Sequence, residues 1–322
     1  MPRLPLDTIR ILKGDAIPAN SVKTYSSLFP LGGEGWHVLR ITAKHTVVIG
    51  TGTGAIPLSE YGIIKNITFK TSKNDLPHFS PAKGFYYFNY LFNGVEPQHT
   101  AMAAASAVYD AVIDIPFAMP FLARKEDLVL DTGRYNLVEL ELTVGGVADL
   151  FTTVGTSSVA TTIDISVLRT RTTLEQAGKP FFCPYIRHLA PFTPTTQPYA
   201  NIESANDLVL FGFFAVAHAS AVPGVAFSGT PSDFLDDITF RDNLLDYLKA
   251  APLQFFQEER RQYSNASILG VYPYCFVRDG SYRSGYFTGQ RSEIKFEIGS
   301  IIGSPATPQV DLMLFGMRDL KE

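Results

Sequence analysis

Residues 138–144 alternate: Val138, Leu140, Leu142 and Val144 are interleaved with Glu139, Glu141 and Thr143. Successive side chains of an extended backbone point to opposite sides. This pattern therefore predicts a strand with one buried and one wet face. A Gly/Thr/Ser-rich link follows over 145–158. A second alternation then returns, with Ile163, Ile165 and Val167 opposite Asp164, Ser166 and Leu168. The stretch 134–171 thus predicts a long hairpin. Near the C-terminus the device recurs. Ile294, Phe296 and Ile298 alternate with Glu293, Lys295 and Glu297, a turn occupies 299–308, and 310–315 returns. A pattern used twice, about 150 residues apart, points to a duplicated unit.

The 322 residues amount to about two domains. Hydrophobic residues make up 46%, enough for two cores, whereas charged residues are only 18%. With 24 Phe, 15 Tyr, 25 Gly and 21 Pro, the composition favours short strands joined by turns and irregular loops. The net charge of −4 offers no basic surface to neutralise phosphates, which argues against sequence-specific nucleic-acid binding. Cys183 and Cys275 each sit in an apolar run and are expected as buried thiols in a reducing compartment, not as a disulfide scaffold. The N-terminus lacks the apolar core of a signal peptide. The run 208–227 holds twenty residues without Asp, Glu, Lys or Arg, long enough for a membrane helix. Its strand formers, Gly212 and the Pro223-Gly224 pair instead predict a strand buried on both faces that runs into a turn.

In chain order, residues 1–23 read as an N-terminal arm, broken by Pro2, Pro5 and Pro18, with Arg3, Arg10, Lys13 and Lys23 outnumbering Asp7 and Asp15. Such an arm reads either as an ordered tail packed on the body or, more sharply, as contact with a neighbouring subunit or an anionic lipid surface. A first body, 24–172, opens with a long strand in which His37, Leu39, Ile41, Ala43, His45 and Val47 share one face. A second strand covers 63–71 and an aromatic strand 85–92. Pro97 opens an Ala-rich helix to residue 108, and a further strand follows over 112–117. Residues 173–180 form a linker, and 181–322 repeat the order. In this second body 242–262 carry a helical pattern, with Leu244, Leu245 and Leu248 on one face and Pro252 as a kink. Helices are few and fall in one slot of each body, unlike the strand–helix alternation of parallel-sheet folds. The fold class expected is all-β: two tandem eight-stranded jelly rolls with short flanking helices.

Three segments carry a family likeness: Val112-Ile113-Asp114-Ile115-Pro116-Phe117, then Asp131-Thr132-Gly133-Arg134-Tyr135, then the alternating strand 137–144. In their order, and in the helix before the sixth strand of each roll, the chain resembles the double jelly-roll major capsid proteins of tailless icosahedral viruses. These are chiefly bacteriophages with an internal membrane, and adenovirus hexon is a distant relative. The resemblance covers nearly the whole chain. It implies a homotrimeric, pseudo-hexagonal capsomer in the virion shell, made in the host cytoplasm. It also implies neighbouring capsomers, penton and minor capsid proteins as partners, and contact of the arm with an internal membrane. The chain is short for the family, which leaves little length for large outward towers.

The same fold class also serves two-domain cupin enzymes, which need clustered His and carboxylate ligands. Of the six histidines (His37, His45, His78, His99, His188 and His218) none forms a His-x-His pair. His37 and His45 share a face but stand eight residues apart, about 26 Å at strand rise. His188 and His218 can meet only across strands. Gly50-Thr51-Gly52-Thr53-Gly54-Ala55 loosely matches a dinucleotide fingerprint, but Pro57 and the strand after it deny the helix N-terminus that would hold a pyrophosphate. Glu258-Glu259-Arg260-Arg261 reads as a solvated helix end, and the aromatics of 85–90 as core, with sugar stacking the alternative. The sequence thus assigns no catalytic, cofactor-binding or metal-binding residues. Its reading is a self-associating structural protein, with a bicupin enzyme and a carbohydrate-binding β-sandwich as the alternatives.

Overall fold

The computed structural model describes residues 6–51, 53–72, 78–123, 128–173, 183–243, 245–250, 268–289 and 293–318. The chain divides into two compact units. One comprises Met1–Asn89, Glu96–Met119 and Glu126–Pro184, and the other Tyr90–Val95, Pro120–Lys125 and Tyr185–Glu322.

The first unit contains β1 (Leu6–Ile17), β2 (Ser21–Tyr25), β3 (Glu34–Val48), β4 (Thr53–Ala55), β5 (Ile64–Thr71), β6 (His78–Ser80), β7 (Ala107–Pro116), β8 (Leu130–Asp131), β9 (Val138–Val144), β10 (Phe151–Thr153) and β11 (Ser158–Thr173). A single helical turn, α1 (Ser59–Gly62), precedes β5, and α2 (Ala82–Asn93) lies between β6 and β7. One sheet runs β1-β11-β3-β7, all antiparallel, with β8 capping the start of β3. The facing sheet runs β2-β9-β5-β6. The short β4 and β10 pair with each other.

The second unit repeats the plan with β12 (Cys183–Phe192), β13 (Tyr199–Ile202), β14 (Leu208–His218), β15 (Leu235–Asp242), β16 (Leu245–Ala250), β17 (Val271–Cys275), β18 (Tyr286–Phe287), β19 (Ile294–Ile301) and β20 (Gln309–Arg318). One sheet runs β12-β20-β14-β17 and the other β13-β19-β15-β16. Setting aside the short β4, β8, β10 and β18, each unit places its first, eighth, third and sixth strands in one sheet. The second, seventh, fourth and fifth lie in the other. Even the accessory pairing is repeated, since β18 pairs with β14 as β8 pairs with β3.

Side chains hold the two sheets of each unit together. In the first, Trp36 of β3 reaches Phe117 at 6.4 Å, and Phe117 reaches Phe69 of β5 at 5.1 Å. In the second, Phe213 of β14 stacks on Phe240 of β15 at 5.8 Å and meets Phe296 of β19 edge-on at 5.2 Å. β14 is buried on both faces, as its apolar run predicts, and a register shift between Leu210 and Gly212 changes which residues face inward. Leu208 and Leu210 join the core before the shift, and Phe213, Ala215 and Ala217 after it. Gly212 is required there, because a Cβ would lie 2.2 Å from the Tyr274 carbonyl oxygen and 2.5 Å from the Phe315 ring.

Four expectations are corrected. The alternating pairs are not hairpins. β9 lies between β2 and β5, whereas β11 lies between β1 and β3, and β19 and β20 are likewise in different sheets. Alternation reports that one face is buried, and both strands bury that face in the same core from opposite sides. The 1–23 arm is, over its described part, built into the first unit as β1 and most of β2. The helix and the aromatic strand are exchanged. Residues 82–93 form α2, whose Phe85, Phe88 and Phe92 recur at helical spacing, and the Ala-rich stretch after Pro97 is not helical. A helix buried on nearly every side shows little amphipathic pattern, and aromatic residues mimic a strand. Finally, Leu245–Ala250 is a strand hydrogen-bonded to β15 through a turn at Asn243 (φ 54°), not the start of a helix. Residues 244 and 251–262 and the 173–180 linker lie outside the described residues, apart from Thr173, which ends β11.

Phe213→Ala removes the ring shared by Phe240, Phe296 and Phe276. We expect it to cost about 3–5 kcal/mol, read as a lower midpoint of denaturant unfolding.

Candidate functional site

The three segments that carry the family likeness lie in the first unit. β7 ends at Pro116, where the ladder with β3 stops opposite Val38, and Phe117 continues by donating its N–H to the His37 carbonyl. Asp114, on the outer face of β7, accepts two hydrogen bonds from the Arg40 guanidinium of β3, at 2.7 and 2.8 Å. Asp131 accepts the N–H of Gly133 at 3.0 Å, and the buried Thr132 hydroxyl donates to the Glu34 carbonyl at 2.9 Å. This loop therefore closes the open end of β3. β9 presents Glu139 and Glu141 outward, both within ion-pair reach of Lys70 on β5.

The structure gathers the histidines differently from a metal centre. His188 of β12 and His218 of β14 do meet across strands, with the fully buried Asp311 of β20 between them. His188 Nε2 lies 2.8 Å from Asp311 Oδ1, and His218 Nε2 lies 3.3 Å from Oδ2, off the line a good hydrogen bond needs. Oδ2 also accepts the Phe227 backbone N–H at 3.1 Å and the Gln309 amide at 3.2 Å. Burial alone raises the Asp311 carboxyl. The hydrogen bond from His188 and the approach of His218 outweigh it and hold the group below its ordinary range. The chemistry of this set is that of a tether. It fastens Phe227, in the 219–234 excursion, to the outer face of the β12-β20-β14-β17 sheet. The sequence did carry one signal for it, a single carboxylate inside the apolar run Val310-Asp311-Leu312-Met313-Leu314-Phe315.

The other sequence candidates separate. His37 and His45 are both buried in β3. His45 Nε2 contacts the Glu60 carbonyl at 2.9 Å and Nδ1 the Thr161 hydroxyl at 3.0 Å, which suits a neutral ring donating from Nε2 and accepting at Nδ1. Burial pushes its pKa down to about 4. His99 belongs to a separate carboxylate cluster, and the His78 side chain lies outside the described part. The Gly50–Ala55 stretch ends in β4, and Pro57 leads into the single turn of α1 before β5, so one helical turn stands where the sequence predicts a strand directly. The aromatics Phe85–Phe88 are buried. Glu258 to Arg261 lie outside the described residues. Cys183 and Cys275 are both buried thiols, not joined in a disulfide. Among the described residues no group of three or more His, Cys, Asp and Glu is placed to hold a metal ion, and no helix is long and apolar enough to cross a membrane.

No protein-family model matches the chain, and no curated protein does. Solved structures do match, end to end. The major capsid protein P2 of bacteriophage PM2 superposes with a TM-score of 0.63, covering 98% of this chain and 97% of its own, at 11% identity. The major capsid protein of Sulfolobus turreted icosahedral virus gives 0.69, with 97% and 96% covered, also at 11% identity. The Faustovirus major capsid protein gives 0.64, with 99% and 90% covered, at 8% identity. This chain is a double jelly roll.

The two rolls share a strand plan and differ in what covers it. The outer faces of the first carry solvent-facing ion pairs such as Arg40–Asp114 and Lys70–Glu141. In the second, Asp311, His188 and His218 are buried where an outer face would be wet. Removing Asp311 leaves the His188 imidazole, the Gln309 side chain and the Phe227 amide without their shared acceptor. We expect Asp311→Ala to cost about 3–5 kcal/mol, with Asp311→Asn losing less, both measured by denaturant unfolding. The first roll supplies a pH dependence. Folded His45 titrates at about 4 and the unfolded chain near 6.5. The depressed value means that stability is full above 6.5 and falls as pH drops from 6.5 to 4, by up to about 3 kcal/mol. His45→Gln should flatten that slope when unfolding is compared at pH 7 and pH 4.5.

Proposed function

We propose that this chain is the major capsid protein of an icosahedral virus, resident in the virion shell after synthesis in the host cytoplasm. The observation that carries this reading is the fit of the doubled roll. Two units of one strand plan use up nearly the whole chain, and capsid proteins of that plan match it over 96–97% of their own lengths. A subunit with two like rolls offers two like outlines. Three such subunits around an axis offer six, which tile a near-hexagonal lattice while obeying the closed symmetry of a trimer. In this reading the homotrimer is the capsomer, and its partners are neighbouring capsomers with penton and minor capsid proteins at the shell's special positions. The N-terminal stretch is the part turned toward an internal lipid layer. A charged fraction of 18% with 39 Phe and Tyr together leaves much surface fit for extensive protein–protein contact. The work of such a protein is structural, not enzymatic.

Sedimentation velocity with multi-angle light scattering on the purified full chain tests the reading. The expected species has three times the chain mass and appears as a near-hexagonal particle in negative stain. A protein that stays monomeric at high concentration overturns it.

A further inference from the structure

Between α2 and β7 the chain runs outside the first roll without regular structure, from Glu96 to Ser106. It is attached almost wholly by polar contacts. Thr100 donates its N–H to the Asp110 carbonyl at 2.8 Å, Val112 donates to the Gln98 carbonyl at 3.1 Å, and Met102 donates to Glu60 Oε2 at 3.3 Å. Tyr109 Oη reaches the Ala103 and Ala105 carbonyls at 3.0 and 2.9 Å. Only Pro97, His99 and Met102 are even half-buried, so little apolar burial holds the segment down.

Its central clasp is His99. Nδ1 lies 2.7 Å from Oε1 of Glu60, and Nε2 lies 3.1 Å from Oε1 of Glu96. Both ring nitrogens therefore face carboxylate oxygens. A neutral imidazole has one N–H, so the other nitrogen would set its lone pair against an oxygen lone pair. The arrangement requires one more proton, shared between His99 and the carboxyl groups. Glu96 Oε1 also accepts the Tyr86 hydroxyl at 2.6 Å, and that bond, with the one from His99, holds Glu96 ionised against its partial burial. Glu60 is buried in α1 and accepts from Met102 on its other oxygen. The groups around this set are accounted for. Tyr61 and Tyr86 place their rings 5.6 and 5.9 Å from His99, and His45 contacts the Glu60 backbone carbonyl. On β7, Asp114 is paired with Arg40 and Asp110 stands opposite Lys44 in the ladder. Lys83 of α2 contacts the Pro57 carbonyl.

We propose that Glu96–Ser106 is a pH-sensitive strap, fastened to the first roll by a proton held in the Glu60–His99–Glu96 cluster and loosened when that proton leaves. The closed strap binds one more proton than the open one. By linkage, closure is favoured at low pH and weakens as pH rises through the cluster's titration. Opening exposes α1, the Tyr86 edge of α2 and the outer edge of β7.

Amide hydrogen exchange on the full-length protein between pH 5.5 and 9, expressed as protection relative to intrinsic exchange, tests this. The amides of Thr100, Met102 and Val112 should lose up to tenfold in protection for each pH unit between the titration of the open strap and that of the closed one, while β9 amides stay constant. His99→Gln should leave the strap poorly protected at every pH, and Glu60→Gln should keep it protected without pH dependence. Constant wild-type protection across the range overturns the proposal, as does a pH dependence that survives in His99→Gln. The wild-type series is decisive even where a variant fails to fold.

Discussion

Each roll is held shut by aromatic side chains buried between two sheets that face one another. Within a sheet the backbone ladders are satisfied strand by strand, as in the continuous register of β11 along β3 from Val48 to Val38. Between the sheets the cohesion comes from rings and aliphatic groups removed from water: Trp36, Phe117 and Phe69 in one roll, and Phe213, Phe240 and Phe296 in the other. This constraint explains the topology. A strand that must bury one face finds its place beside whichever ladder offers the right edge, and consecutive strands are free to part. The link after β9 therefore crosses from one sheet to the other. It is anchored by its own contacts at Gly145, Asp149 and β10.

The duplication is one of plan more than of surface. The eighth strand of the first roll carries Asp164 on its outer side, where its carboxylate accepts the N–H of Gly14 in β1. The eighth strand of the second carries Asp311, buried between two histidines. The same strand position serves an exposed edge contact in one roll and an internal tether in the other, because the 219–234 excursion covers only the second. The other end of β14 is covered separately, where Phe211 meets Phe121 at 5.8 Å, so that β14 has no wet face to supply.

Much of the strand content was legible. β3, β5, β7, β9 and β11 show alternation because each has one face in the core and one toward water, and β14 shows a continuous apolar run because it has neither face wet. The double roll was legible from the recurrence of these patterns. α2 was not, since Ala82–Asn93 is enclosed and its aromatics satisfy the strand rule equally well. β16 was not, because Leu245 and Leu248 fit a helical face as readily as a strand, and the turn at Asn243 that decides between them depends on backbone conformation. The polar clusters were half legible. Asp311 is the one charge in an apolar run, a signal that alternation does not report, whereas nothing along the chain connects Glu60, His99 and Glu96.

The amino-acid order by itself determined which residues avoid water and with what period, and hence that the chain makes strands and makes them twice. Those properties are local, set by side-chain chemistry over a few neighbouring positions. Tertiary structure alone decided which strand pairs with which, that 82–93 coils rather than extends, and that carboxylates and imidazoles far apart in sequence come within hydrogen-bond reach. Such pairings depend on groups separated by tens to hundreds of residues, as His188 and Asp311 are, and periodicity along the chain carries no information about that distance.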